Sequence, residues 1–99
     1  MEDFYVYILK CHDGSYYTGH TDNISTRMEQ HNNSIHSDSY VSKRLPVELV
    51  FADCVGTREA AKEAEWMIKG WSRKKKEALI NGGWEALKGF NRKNKKNKV

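Results

Sequence analysis

The sequence is poor in cysteine, in proline and in long apolar runs. Two of its 99 residues are cysteine and one is proline. Cys11 and Cys54 lie far apart, without a C-x-x-C pair or a Cys/His cluster, which favours two reduced, mostly packed thiols over a zinc site or a disulfide. No run approaches the roughly 18 apolar residues that a membrane helix needs, and Met1 leads into two acids rather than a signal sequence. We therefore expect a soluble, cytoplasmic protein without membrane contact.

Several enzyme signatures are also missing. The chain has no Gly-rich phosphate loop of Walker or Rossmann spacing, no Gly-x-Ser-x-Gly elbow and no paired metal-binding histidines on a helix. Its length of 99 residues allows one core rather than two. We expect one domain over residues 1–90 and a low-complexity, disordered basic tail over residues 91–99.

The net charge of +4 hides a strong asymmetry along the chain. Residues 1–68 hold 6 basic and 11 acidic side chains, whereas residues 69–99 hold 11 basic and 2 acidic ones. A basic end on an acidic body suggests a polyanionic partner, of which nucleic acid is the commonest. Charge alone supports a solvated basic helix about equally well.

A β-hairpin is predicted near the start of the chain. FYVYILKC and YYTGHT are rich in β-branched and aromatic residues and flank an Asp-Gly turn. A two-residue loop would place Tyr7 and Tyr17 on opposite faces. A three-residue loop with Gly14 in the left-handed region pairs Cys11 with Ser15, places both tyrosines on one face and sets Gly19 opposite Tyr7. We favour the second register.

Three helices and one more strand are predicted downstream. Asp22-Asn23 caps a short helix that ends near Asn32, and VELVFADC is the third strand after a polar loop over residues 34–46. Thr57 caps the second helix, and Ser72 caps a third that Gly82-Gly83 would end. Periodicity gathers one apolar stripe on the second helix: Ala60, Ala61, Ala64, Met67, Ile68 and Trp71.

The same periodicity leaves Glu63 and Glu65 on the two edges of that stripe and cannot choose between them. It points Lys69 away from the core. On the first helix, Arg27 and His31 share one side at i, i+4. Each of these features also has a purely structural explanation. The tyrosines can be ordinary strand aromatics, Arg27 and His31 a solvated helix face, and the two acids residues at the edge of the core.

Together, however, the motifs resemble the GIY-YIG nuclease superfamily. Tyr5-Val6-Tyr7 and Tyr17-Thr18-Gly19 correspond to the two halves of the motif that gives the superfamily its name. The segments R-x-x-x-H-N, LPVELV and E-x-x-I-K follow in order. The chain is most similar to the small single-domain bacterial branch, over residues 4–80. The resemblance implies an α+β fold, a three-stranded antiparallel sheet flanked by about three helices.

The resemblance also implies divalent-metal-dependent hydrolysis of DNA phosphodiester bonds, with one Mg²⁺ or Mn²⁺. Carried over by motif, Tyr7, Tyr17, Arg27 and His31 are catalytic, and the E-x-x-I-K run selects Glu65 as the metal ligand. Gly19 is the motif glycine, where a side chain would crowd Tyr7. His20 stands where some members carry Lys, so a titratable group replaces a fixed charge beside the tyrosines.

Substrate binding is expected from the basic residues of the loop and of the third helix: Lys43, Arg44, Arg73, Lys74, Lys75 and Lys76. These side chains grip phosphates without reading bases, which predicts weak sequence preference and marked salt dependence. By analogy with the superfamily, we expect a monomer that cleaves branched, nicked or single-stranded DNA in repair or recombination, with a protein partner as one route to targeting.

Two other functions compete with this hypothesis. The chain could be a catalytically weak nucleic-acid-binding module on a nuclease scaffold, because its basic end is strong and its motifs deviate at Tyr5 and Thr18. The basic end could alternatively be a docking surface for an acidic protein, which we rank lowest.

Overall fold

The computed structural model describes residues 3–32, 41 and 43–98, and their side chains as far as residue 88. The chain forms two compact units, Met1–Lys69 and Gly70–Val99. The first unit contains three strands and two helices, in the order β1 (Phe4–Cys11), β2 (Tyr16–Thr21), α1 (Ile24–Asn32), β3 (Val47–Gly56) and α2 (Arg58–Lys69). The second unit contains one helix, α3 (Arg73–Lys98).

The three strands form one antiparallel sheet in the order β2-β1-β3. Strand β1 is central, so side chains on both of its faces are buried, including Val6 and Ile8 on one face and Tyr7 and Leu9 on the other. Together with the three helices, this sheet confirms the predicted α+β architecture.

The hairpin adopts the three-residue loop that the sequence favours. Gly14 has φ 89°, in the left-handed region, and the Cys11 and Ser15 backbones are joined by a 2.8 Å hydrogen bond. The register pairs Tyr7 with Gly19 and Leu9 with Tyr17. Because side chains alternate between faces, Tyr7 and Tyr17 lie on the same face of the sheet, as predicted.

Side-chain caps begin the helices where the sequence predicts them. The Asn23 Oδ1 accepts from the Thr26 amide at 3.0 Å, and the Thr57 Oγ1 accepts from the Ala60 amide at 3.1 Å. In the second unit, the Ser72 Oγ accepts from the Lys75 amide at 3.2 Å. Each cap satisfies an amide that the first helical turn would otherwise leave without a partner.

The two helices of the first unit cover opposite faces of the sheet. Helix α1 packs Ile24 and Met28 against the face that carries Tyr7 and Leu9. Helix α2 meets the other face, where the Arg58 guanidinium lies 5.6 Å from the ring centroid of Phe4. The predicted apolar stripe of α2 is buried at Ala61, Ala64 and Ile68, whereas Met67 is 42% exposed and lies outside the core.

The second unit is built around a break in its helix. Gly83 has φ 71° and ψ −168°, so regular helical geometry is interrupted within the predicted Gly82-Gly83 stop. Before and after the break, the rings of Trp71 and Trp84 pack edge to face with centroids 6.3 Å apart. Helical backbone continues through residues 91–98, where composition predicts a disordered tail. The predicted domain boundary at residue 90 stays a prediction.

Other predictions concern the cysteines, the loop and the membrane. Neither cysteine forms a disulfide among the described residues, and only Cys11 is buried, whereas Cys54 is exposed. Most of the predicted polar loop, namely residues 34–40 and 42, lies outside the described residues. Within the described part of the chain, no helix has both the length and the apolar character needed to cross a bilayer.

Candidate active site

Two tyrosines and a histidine form a buried aromatic cluster between the sheet and α1. The Tyr7 Oη and the His31 Nε2 lie 3.0 Å apart, within hydrogen-bonding distance. The rings of Tyr17 and His31 meet edge to face, with centroids 5.6 Å apart. His31 is only 3% exposed and Tyr7 only 2%, whereas Tyr17 is half-buried. The imidazole therefore connects both predicted catalytic phenols.

Gly19 leaves the space that the Tyr7 phenol fills. A Cβ at position 19 would lie 2.6 Å from the Tyr7 Oη and 2.7 Å from its Cζ, far closer than real Cβ atoms approach other atoms. The ring is buried, so it has little room to retreat. This confirms the prediction from the hairpin register that a side chain at position 19 would crowd Tyr7.

Arg27 borders the same cluster from α1. Its half-buried side chain lines a shallow depression together with Tyr7, Ile24 and Met28. The Nη1 donates to the Gln30 Oε1 at 3.5 Å, a long contact, and the buried Nε has no hydrogen-bond partner among the residues that the structure describes. A guanidinium of this kind retains donors for an anionic oxygen.

Glu65 lies on α2, where both of its carboxylate oxygens are engaged. The His20 Nδ1 is 2.5 Å from Oε1, and the Lys69 Nζ is 2.7 Å from Oε2. An ionised carboxylate only accepts hydrogen bonds, so the proton of this contact belongs to the His20 Nδ1. The neighbouring candidate, Glu63, is exposed. The structure therefore separates two acids that periodicity left equivalent.

The surroundings of Glu65 favour its ionised form. Burial raises the pKa of this carboxyl, but hydrogen bonds from His20 and Lys69, together with the charge of Lys69, lower it by more. The net result is a pKa below the ordinary value of 4.5. Glu65 is therefore a carboxylate at neutral pH, which is the form that binds a metal ion.

Lys69 connects the acid on α2 to the tyrosine cluster. Besides contacting Glu65, its ammonium lies 5.8 Å from the centroid of the Tyr17 ring, within cation–π range. Glu65 and Tyr17 belong to opposite faces of the sheet, but β2 is an outer strand, and Lys69 spans the distance between them beside that strand. Lys69 is exposed, as the periodicity predicts, but its long side chain turns back toward the carboxylate at i−4, a contact that the periodicity does not predict.

His20 occupies a different place from the one that the resemblance implies. It pairs with Val6 in the hairpin, so its side chain projects from the face opposite Tyr7 and Gly19. There it holds Glu65 rather than lying beside a phenol. Its direct contact is therefore with the predicted metal ligand.

The predicted phosphate-binding residues differ in their surroundings. Lys43 is exposed, whereas Arg44 is half-buried and its Nε donates to the Asp13 Oδ2 at 2.9 Å. The Ser15 hydroxyl and amide, followed by Arg44, hold the pKa of Asp13 below its usual value. Arg44 therefore ties its segment to the hairpin turn.

The basic run on α3 belongs to the second unit. Arg73 pairs with Glu77 at 3.1 Å, and the Lys75 ammonium lies 4.4 Å from the Trp71 ring centroid. Lys74 is exposed and Lys76 half-buried. The four basic residues, Arg73 to Lys76, thus form the first turn of α3.

A metal ion at Glu65 would have few protein ligands. No cluster of three or more His, Cys, Asp or Glu side chains able to hold a metal occurs among the described residues. The donor that is present, an ionised carboxylate, suits a hard cation such as Mg²⁺ or Mn²⁺. The residues therefore fit a site with one protein carboxylate, in which phosphate and water supply the remaining oxygens.

Comparisons with known proteins identify the family of this chain. Residues 3–78 match the GIY-YIG catalytic domain family. The chain is 45% identical over 76 residues to a UPF0213 protein of Bacillus licheniformis, covering 77% of each chain. It is 42% identical over 83 residues to a UPF0213 protein of Staphylococcus saprophyticus, covering 84% of this chain and all of that one.

A solved structure is also similar. The solution NMR structure of the UPF0213 protein BH0048 from Bacillus halodurans matches with a TM-score of 0.52 and 36% identity, covering 86% of this chain and 93% of that one. The motifs singled out in the sequence lie within the matched GIY-YIG region, apart from the basic tail. This chain therefore belongs to the GIY-YIG catalytic domain family, among the small UPF0213 proteins.

Proposed function

We propose that this protein is a divalent-metal-dependent endonuclease that hydrolyses DNA phosphodiester bonds. Nucleic acid is the substrate class that a GIY-YIG domain implies. The observation that carries the proposal is the placement of both motif tyrosines on one sheet face, in contact with the same histidine. Hydrolysis of a phosphodiester needs an acceptor for the proton of water, and this cluster supplies groups of that kind.

The tyrosine and histidine cluster performs the proton transfer in this proposal. A phenol has an ordinary pKa of about 10 and is a weak base until a neighbouring group takes its proton or a cation stabilises the phenolate. Tyr7 has the His31 nitrogen as a hydrogen-bond partner, and Tyr17 has the ammonium of Lys69 near its ring. Both phenols thus have a neighbour that supports loss of a proton.

Arg27 stabilises the charge that accumulates on the phosphate. As phosphorus becomes five-coordinate, its oxygens gain negative charge, and a permanently charged guanidinium can donate two hydrogen bonds to them. Arg27 and Tyr7 line the same shallow depression, so a phosphate bound there would meet the arginine and the tyrosine together. Removing such a donor typically costs 10²–10³ in rate, to order of magnitude.

Glu65 holds the metal ion in this proposal. GIY-YIG nucleases generally use a divalent metal. A bound ion at this carboxylate would polarise the phosphate and stabilise the leaving oxygen. Lys69 and His20 keep the carboxylate ionised and oriented at the outer side of β2, and the ammonium of Lys69 can remain close as a counter-charge to the substrate.

The basic side chains bind the DNA backbone in this proposal. Lys43, Arg44 and the run from Arg73 to Lys76 contact phosphates, which positions the duplex without reading its sequence. Specificity then comes from the shape of branched, nicked or single-stranded DNA, or from a partner protein, and the proposed setting is repair or recombination.

Metal-dependent cleavage assays test the proposal. Labelled flap, fork and supercoiled DNA are incubated with Mg²⁺ or Mn²⁺ and wild type, Glu65→Ala, Arg27→Ala or the control Glu63→Ala. We expect cleavage by wild type and Glu63→Ala, no cleavage after chelation with EDTA, and losses of at least about 100-fold in the other two variants. Equal cleavage by all four proteins would defeat the proposal.

A second candidate function is a catalytically weak nucleic-acid-binding module. It is favoured by the engagement of both Glu65 oxygens, one with His20 and one with Lys69, which is also what a purely structural cluster would show. Under this alternative, DNA binding persists without metal-dependent cleavage. The double substitution Arg73→Glu with Lys74→Glu would then abolish binding, whereas Glu65→Ala would change no measurable activity.

A further inference from the structure

A large aromatic side chain stands exposed directly beside the candidate metal ligand. Trp66 follows Glu65 on α2 and is 80% exposed, more than any other large apolar side chain of the described residues. Burial of an aromatic of this size typically stabilises a fold by about 3 kcal/mol, and the position forgoes that gain. An exposed tryptophan of this kind is typical of a binding surface.

The residues one helical turn from Trp66 carry a mixed charge. Lys62 lies at i−4 and Lys69 at i+3, while Glu63 lies at i−3. Lys62 and Glu63 are exposed, and the ammonium of Lys69 already connects Glu65 with Tyr17. The two lysines favour a polyanion, although the charge of Lys69 is shared with Glu65, and Glu63 disfavours a phosphate placed directly over the indole.

We propose that Trp66 is a stacking platform for an unpaired base of the nucleic acid next to the phosphate at Glu65. The proposal rests on the proposed function for the class of ligand and adds that the bound strand is single-stranded at this point. A base presents a neutral π-face to the indole while its flanking phosphates reach the two lysines. Stacking of this type is tolerant of base identity, because each base has such a face.

The position of Trp66 determines what it can recognise. Successive Cα atoms are about 3.8 Å apart, but consecutive helical side chains point about 100° away from each other, so the indole and the Glu65 carboxylate diverge from adjacent points of one rigid helix. The indole can therefore meet a neighbouring base rather than the nucleotide whose phosphate lies at Glu65. In an intact duplex the bases are stacked on each other and their faces are unavailable. A flap, a gap or a frayed end exposes such a face, and Trp66 therefore selects for an unpaired nucleotide beside the bond that is cleaved.

Binding of labelled oligonucleotides in EDTA tests the proposal without cleavage. A single-stranded thymidine 20-mer and a blunt hairpin duplex are titrated into wild type, Trp66→Ala, Trp66→Phe and the control Met67→Ala. Met67 is the next residue and is 42% exposed, so it is a matched apolar surface position. We expect Trp66→Ala to lose about tenfold or more in affinity for the single strand, Trp66→Phe to keep most of it, and Met67→Ala to match wild type.

Duplex affinity should be the same in all four proteins, because it depends on phosphate contacts. The single strand should also quench tryptophan fluorescence in wild type more than in Trp66→Phe. Equal single-strand affinity in wild type and Trp66→Ala would overturn the proposal. So would an equal loss for duplex, or sedimentation showing a wild-type dimer that Trp66→Ala dissociates, since a second copy would then cover the indole.

The same variants separate this inference from the proposed function. Trp66-dependent binding of the single strand, together with an absence of metal-dependent cleavage, would refute the nuclease and leave the stacking platform standing. Glu65-dependent cleavage together with unchanged binding in Trp66→Ala would do the reverse. Thermal unfolding of each variant checks that an exposed substitution leaves the fold intact.

Discussion

The Tyr7 hydroxyl lies 3.0 Å from the Nε2 of His31, and both side chains are almost fully buried. A hydrogen bond between two such groups couples their protonation, since neither can exchange its partner for water. The pair joins strand β1 to the last turn of α1. It therefore links the fold of the first unit directly to the proposed chemistry.

Substitutions at this pair should be strongly non-additive in cleavage. Tyr7→Phe and His31→Ala are each expected to lower the cleavage rate by about 10²–10⁴, because each removes one member of a proton-transfer unit. The double variant should be little worse than either single one. Tyr5→Phe, on the same strand but outside the cluster, is the control. Multiplicative losses in the double variant would show that the two residues act separately.

Gly19→Ala should destabilise the protein through Tyr7. The added methyl group would overlap the phenol, and overpacking of a core typically costs about 1–3 kcal/mol of the free energy of unfolding. Chemical denaturation measures this cost. In a Tyr7→Ala background the same substitution should cost much less, because the clashing ring is gone. An equal cost in both backgrounds would locate the strain elsewhere.

Glu65 should make stability depend on pH in a defined direction. Its pKa is lower in the folded protein than the ordinary 4.5, so its contribution is fully present above that value and is lost as the pH falls through the folded pKa. Glu65→Gln should therefore lose less stability than wild type between neutral pH and acid. The control Glu63→Gln should follow wild type. A steeper loss in Glu65→Gln would contradict the assignment.

Lys69 contributes to the lowered pKa of Glu65, and titration of a Lys69 variant should measure that contribution separately. In Lys69→Met the carboxyl loses a hydrogen bond and a neighbouring charge, and its pKa should move upward from the wild-type value. NMR detection of the Glu65 carboxyl carbon against pH measures both values. Lys62→Met, on the same helix, is the control. An unchanged Glu65 titration in Lys69→Met would mean that the ion pair does not persist in solution.

The basic turn of α3 should determine the salt dependence of DNA binding. Replacing Arg73 and Lys74 by Glu is expected to weaken binding and to reduce the slope of log affinity against log salt by about 0.9 for each phosphate that the protein no longer neutralises. Lys88→Glu reverses one exposed cation beyond the Gly83 break, near Glu85, and is the control for a charge reversal outside the basic turn, with half the change in net charge. The same slope in all variants would place the phosphate-binding side chains elsewhere.

The hairpin and the helix starts could be predicted because their causes are local. The parity of side chains along two strands and the left-handed Gly14 determine which residues face Gly19, and Asn23, Thr57 and Ser72 cap the turns that follow them. The choice of Glu65 over Glu63 came only from the family motif. Periodicity could not make it, because both residues border the same stripe.

The connection through Lys69 could not be predicted in this way. Helical periodicity gives the direction of a Cβ but not the path of the flexible chain beyond it, so it predicts the exposure of Lys69 but not its contacts with Glu65 and Tyr17. The division of the site between the two sheet faces could not be predicted either. Strand alternation shows that His20 lies on the face opposite Tyr7, but it does not show that α2 covers that face. Trp66 falls outside the apolar stripe that the periodicity gathers on α2, but the pattern gives no indication of what an exposed tryptophan would bind.

The close approach at Gly19 also affects how related sequences should be interpreted. A position that cannot accept one methyl group will be kept as glycine by selection for folding alone, whatever happens at the phosphate. An invariant glycine there is thus no evidence that a homologue is active. Only the side chains that could vary without unfolding the sheet, Arg27 and Glu65 among them, would distinguish working enzymes from inactive descendants in an alignment.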